Sequence, residues 1–263
     1  MPNLVNNLTP EEHLVKRISE LEEAKKKLSS QTPVNSEEKI RQQNLLNNIN
    51  KMEKTCREEL RIRQNYKLNK IAIKNANNNI KTTEIKIKEN QKNHHDLKKY
   101  FTKKYPNSLS TDGNYILIDK LPPNEQNKYY ESKSKMDKLN KELINAKNDL
   151  SKFNENKDYL KDEYKILRAL YPELYGSKEV ANPCIPCLNK QIAQLENDIN
   201  FKNVISNFEI DGQDDSKYKS KVLRDLRKIY DKPSGKLLLE SINKTGKKVI
   251  IQHPGVEDRK SVV

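Results

Sequence analysis

Tryptophan is absent from this chain of 263 residues, and it holds only four phenylalanines, three methionines and six glycines. Hydrophobic residues make up 33%, against roughly 45–50% in ordinary domains. A deep three-layer core needs more apolar volume than that, which argues against a doubly wound or barrel enzyme. Three cysteines are too few for a disulfide framework, and the odd count fits a reducing compartment. No apolar run approaches the roughly 18–20 residues of a membrane span, so no transmembrane segment is expected. Met1 to Thr9 lack the basic start and apolar core of a secretory signal. The expected location is cytoplasmic in the producing cell; delivery into a host cell would use a route without a cleaved signal peptide. Phosphate-binding glycine loops and Gly-x-Ser-x-Gly are missing. His13, His94, His95 and His253 form no His-Glu-x-x-His and stand at no i, i+4 spacing, so no catalytic residue is assigned, and His94 and His95 read as solvated helix residues.

Charged residues reach 33%, the net charge is +14 and mean hydropathy is −1.02. Lys, Asn, Leu and Glu without glycine suit long helices that each bury a narrow seam. All six glycines lie after residue 112, and no proline occurs between Pro33 and Pro106. The expected fold is mainly α: a long antiparallel helical hairpin or coiled coil with a small α/β C-terminal segment.

The first helix is signed by Thr9 as cap, Pro10 at its first position and Glu12 completing a capping box. Leu14, Ile18, Leu21 and Leu28 form its seam, with Lys25 in the one missed place, and residues 1–34 make the first segment. Residues 35–172 read as the hairpin, with helices about 36–101 and 125–170 joined by a loop at 105–124. Leu45, Ile49, Met52 and Cys56 open a seam in the first of these; beyond it the apolar residues keep no single register, and Ala76 to Asn79 predict a kink or a frayed turn. In the second, Met136, Leu139, Leu143, Ala146, Leu150, Phe153, Lys157, Leu160, Tyr164 and Leu167 alternate steps of three and four, a heptad seam. Tyr115 to Ile118 read as a short strand or an apolar plug. Residues 173–206 hold a CxxC turn and a short helix with Leu188, Ile192, Leu195 and Ile199 as its seam. Residues 207–263 change character, and Lys247 to Gln252 are the best strand.

Three features carry candidate chemistry. Residues 61–105 hold thirteen basic side chains against Glu84, Glu89 and Asp96, a net of +10. Such a face lies along phosphates, nucleic acid or anionic membrane, or is simply solvated. Cys184 and Cys187 are the candidate metal ligands, an incomplete site that needs two further donors for tetrahedral zinc. The same pair also reads as a redox dithiol or as two half-buried turn residues. The terminal Ser261-Val262-Val263 has the form of a strand-adding C-terminal peptide.

Residues 207–255 carry a further pattern. Phe208-Glu209-Ile210-Asp211-Gly212 precedes a helix with Tyr218, Val222, Leu223, Leu226 and Ile229. Lys232-Pro233-Ser234-Gly235-Lys236-Leu237-Leu238, Ile242 and Gly246-Lys247-Lys248-Val249-Ile250-Ile251 follow. This resembles the start of the effector-type zinc metallopeptidases, which include type III secretion effectors. The resemblance covers about a fifth of the chain and lacks the His-Glu-x-x-His that the family carries further on. It implies a bacterial secreted effector or a truncated remnant of one, without zinc or other cofactor. Ser234 is expected to cap a helix burying Leu237, Leu238 and Ile242. The leading reading is a non-catalytic coiled-coil protein that binds a protein partner or itself through its heptad seams. The alternatives are a zinc metallopeptidase effector whose catalytic half is missing, and a nucleic-acid- or anionic-membrane-binding coiled coil using 61–105.

Overall fold

The computed structural model describes residues 8–111, 115–211 and 215–252. The chain is mainly helical: α1 (Pro10–Ser29), α2 (Ser36–Lys104), α3 (Pro123–Leu170), α4 (Pro172–Tyr175), α5 (Ile185–Ile205), α6 (Ser216–Tyr230) and α7 (Pro233–Lys244), with strands β1 (Phe208–Asp211) and β2 (Val249–Gln252). It divides into two compact units, one formed by residues 1–57 and 173–263, the other by 58–172.

In the first unit, α1 starts as its sequence dictates. Thr9 accepts the Glu12 N–H, and the Glu12 carboxylate accepts the Thr9 N–H at 2.7 Å. Leu14, Ile18, Leu21 and Leu28 are buried. The remaining inward place belongs to Ala24 rather than Lys25, whose ammonium lies 3.6 Å from Glu53. A helix of 3.6 residues per turn drifts from strict heptad spacing, and a small side chain fits the closer approach. α1 packs on α5, whose Leu188, Ile192, Leu195 and Ile199 are all buried as expected. The first turns of α2, capped by the Asn35 side chain on the Glu38 N–H, add Ile49 and Cys56.

The C-terminal part of this unit runs β1–α6–α7–β2. The strands pair in parallel, with Phe208 opposite Val249 and Asp211 opposite Gln252. Its core gathers Phe201, Val204, Leu226, Tyr230 and Leu239. Two expectations are corrected here. Leu237 and Leu238 are 67% and 57% exposed, and Leu239, 3% exposed, is the buried leucine. Ser234 makes no cap, because α7 begins at Pro233 with Lys232 before it. On α6, Leu226 and Tyr230 face inward while Leu223 and Ile229 are exposed. α6 and α7 meet at Gly235, where a Cβ would run into the Ile229 carbonyl, and Leu239 and Ile242 follow Gly235 at steps of four and three on the same face of α7. Gly246, at φ 65°, makes the turn into β2 as its type allows.

In the second unit α2 and α3 pair antiparallel. Arg61 bonds Glu163, Asn69 donates to the Phe153 carbonyl at 2.6 Å, Lys147 reaches Glu84, Asn90 donates to the Ser132 carbonyl, and Tyr100 donates to Glu125. Partner numbers fall along one helix as they rise along the other. All ten expected seam residues of α3 are buried or half-buried. α2 is one continuous helix from Ser36 to Lys104, so no frayed turn interrupts it at 76–79. Between the helices Leu109 and Ile116 form a single antiparallel bridge, and two 3-10 turns at 106–108 and 118–120 complete the connection.

Candidate functional site

The inward face of α2 in the hairpin is Ile62, Tyr66, Asn69, Ile73, Ala76, Ile80, Thr83, Ile87, Asn90, His94, Leu97 and Phe101, every one buried or half-buried. Their steps alternate four and three without a miss. The sequence hid this register because Asn69, Thr83, Asn90 and His94 occupy seam positions while Leu68, Ile71 and Ile85 do not. Each polar member has a partner across the seam or a place along it. Asn69 also accepts from Asn156, and His94, instead of being solvated, meets the Ser132 hydroxyl at 3.0 Å and the Tyr129 ring. Burial, followed by the nearby charges of Lys98 and Lys133, holds the His94 pKa below the usual imidazole value. His95 is exposed. Midway, where the seam carries Ala76 and Ala146, a cleft of about 630 Å³ lined also by Ala72 opens between α2 and α3.

The exposed side of α2 carries the charge. Leu68, Ile71 and Ile85 are 65%, 51% and 58% exposed. At about 100° per residue they spread over roughly 100° of the face turned away from the seam. Beside them Lys67, Lys74, Lys81 and Lys88 recur at intervals of seven residues, all exposed. No carboxylate of the described residues pairs with any of these four. By contrast, Arg61 and Arg63 are engaged: Arg61 with Glu58 and Glu163, Arg63 with buried Glu59 and the Tyr164 hydroxyl. The basic stretch 61–105 therefore splits into cations consumed by the hairpin and a lysine row left facing outward. Exposed Tyr159, Ile166 and Leu170 make a second off-seam stripe on α3.

Cys184 and Cys187 are joined in a disulfide, with Cα atoms 5.3 Å apart. Both are exposed rather than half-buried. In this state neither sulfur is a thiolate donor, so metal ligation belongs to the reduced chain. Among the described residues no group of three His, Cys, Asp or Glu side chains is placed to hold a metal ion. Tetrahedral zinc at the reduced pair would need two further donors. Cys56 is a buried thiol. His253 and the terminal Ser261-Val262-Val263 lie outside the described residues.

No protein-family model, no curated protein and no solved structure matches this chain. No helix among the described residues is long and apolar enough to cross a membrane.

Proposed function

We propose that the protein is a non-enzymatic helical interaction protein whose hairpin docks an acidic amphipathic helix of a partner protein on the outer face of α2. The observation that carries this is the lysine row 67, 74, 81, 88 beside exposed Leu68, Ile71 and Ile85. Leu68 and Ile71 stand three residues apart and Ile85 two heptads beyond Ile71, and in helical pairing charges flanking apolar contacts choose the partner. A polyanion would need the lysines alone; the exposed aliphatic side chains favour a protein helix. The secreted-effector setting rests on the resemblance of residues 207–255, and hydrolysis forms no part of the proposal.

The test titrates the full chain with a fluorescent amphipathic helical peptide bearing glutamates beside a leucine seam. A single-stranded oligonucleotide and phosphatidylserine vesicles run in parallel. The peptide is expected to bind, and binding should fall by about tenfold or more in Leu68→Glu/Ile85→Glu and again in Lys74→Glu/Lys81→Glu, roughly 1.4 kcal/mol per tenfold. Tighter binding to oligonucleotide or vesicles, unchanged by Leu68→Glu/Ile85→Glu, would replace this reading with the anionic-surface one. Absence of binding to all three would end both.

A further inference from the structure

The CxxC turn is built to present sulfur. Ala181, Pro183 and Ile185 are buried, and the Asn182 N–H is held by the Leu174 carbonyl at 2.7 Å. Cys184 thus projects outward from a fixed backbone between two anchored neighbours. It is also the N-cap of α5, a helix of 21 residues, and its Sγ accepts the Cys187 N–H at 3.3 Å. Pro186, inside the first turn, supplies no N–H of its own, so the Cys187 amide is left to face the Cys184 sulfur. A helix N-terminus and a donated N–H both favour negative charge on that atom. Cys187 lies one turn further in, exposed and within bonding reach, as a resolving thiol must be. Two structural cysteines stabilising a fold would be buried or would close a long loop; these are exposed and three residues apart.

We propose that Cys184 and Cys187 form a dithiol–disulfide exchange site, with Cys184 as the attacking sulfur and a disulfide of a second protein as substrate. In the reduced chain the Cys184 thiolate attacks one sulfur of the partner disulfide. A mixed disulfide forms, and the partner's other sulfur leaves as a thiolate that takes a proton from water. Cys187 then loses its proton and attacks Cys184 Sγ. The 184–187 bond forms, and the partner's second sulfur departs as a thiolate. Two electrons pass from the chain to the partner, whose disulfide becomes two thiols. The oxidised chain described here is the product, and a protein dithiol or a small thiol such as glutathione returns it to the start. This site lies in the unit that does not contain the hairpin, and it stands or falls independently of the helix-docking proposal.

The test uses the full chain, Cys184→Ser and Cys187→Ser, with circular dichroism confirming that all three keep their helices. In buffers of reduced and oxidised glutathione, trapped by alkylation and weighed, the wild type should pass between zero and two labelled thiols in one two-electron step, buried Cys56 remaining unlabelled. Cys187→Ser should accumulate a single glutathione adduct at Cys184, at least about tenfold faster at pH 7 than Cys184→Ser forms one at Cys187. With insulin as the disulfide probe and dithiothreitol as reductant, the wild type should accelerate reduction and Cys184→Ser should not. Equal adduct rates in the two variants would overturn the assignment of Cys184. No acceleration of insulin reduction would overturn the exchange activity. Stoichiometric zinc on the reduced chain, shielding both thiols from alkylation, would replace exchange with metal binding.

Discussion

Gly235 shows how one missing side chain sets the C-terminal core. Its Cα lies so close to the end of α6 that any Cβ meets the Ile229 carbonyl. Gly235→Ala should therefore destabilise the chain by about 1–3 kcal/mol, the usual range for overpacking, read as a lower urea midpoint. Asp198 shows the same dependence for charge. Its carboxylate accepts from Arg41 at 2.9 Å and Gln194 at 3.1 Å, and lies 2.8 Å from Arg227, so it ties α2, α5 and α6 together. Burial works to raise its pKa, but the Arg41 hydrogen bond and the Arg227 charge outweigh it and hold the carboxyl below its ordinary value. Glu38 is lowered likewise: burial opposes, and Lys202 with the Val34 N–H prevails. A carboxyl whose folded pKa is depressed stabilises the fold above its unfolded pKa and loses that contribution as pH falls through the folded one. Stability should thus decline below about pH 4.5, where free carboxyls begin to protonate. Asp198→Asn should flatten that decline in acid denaturation curves, while lowering stability at pH 7 by about 1–3 kcal/mol through half-satisfied arginines. An unchanged acid slope would remove Asp198 from this role.

At the scale of elements the hairpin is a seam of uneven quality. Near its open end Ile62, Leu160 and Leu167 are packed with Tyr66, Tyr164 and Tyr171. In the middle the cleft opens among Ala72, Ala76 and Ala146, and Leu150 of the same stretch of α3 is only half-buried. Leu160→Ala should accordingly cost about 2–4 kcal/mol and Leu150→Ala less than half as much, because a site already open to water loses less on truncation. Equal losses in thermal melts would mean that the middle is as well packed as the end. Buried Asn69, hydrogen-bonded to the Phe153 backbone, serves the pairing differently. A polar residue satisfied in only one alignment holds the register at some expense of stability.

For the molecule as a whole, thin seams and a charge of +14 mean that stability is spread over long helices rather than concentrated in one core. The Cys184–Cys187 disulfide adds little to it. Closing a ring over a sequence separation of three removes little chain entropy, about 2 kcal/mol at most by loop-closure reasoning. Reduction of the full chain should then shift its urea midpoint slightly while leaving its helical signal intact. A collapse of the helical signal on reduction would make the pair a structural staple instead.

Much of this architecture was legible from residue types alone. The capping box at Thr9, the heptads of α3, the seam of α5 and the strand after Gly246 follow from local propensity and spacing, which act within a few residues. The inward face of α2 did not, because a seam that mixes Ile with Asn, Thr and His is defined by what lies across it. Only the tertiary structure supplies the Phe153 and Ser132 carbonyls that make Asn69 and Asn90 acceptable inside. The same holds for Leu239 against Leu237 and Leu238, where three leucines in a row are equivalent in sequence and the packing of α7 on α5 and α6 buries one. It holds also for Cys184, whose spacing from Cys187 permitted turn, metal or redox roles. The buried neighbours and the helix N-cap, both products of packing, place its sulfur in the open beside a donated N–H.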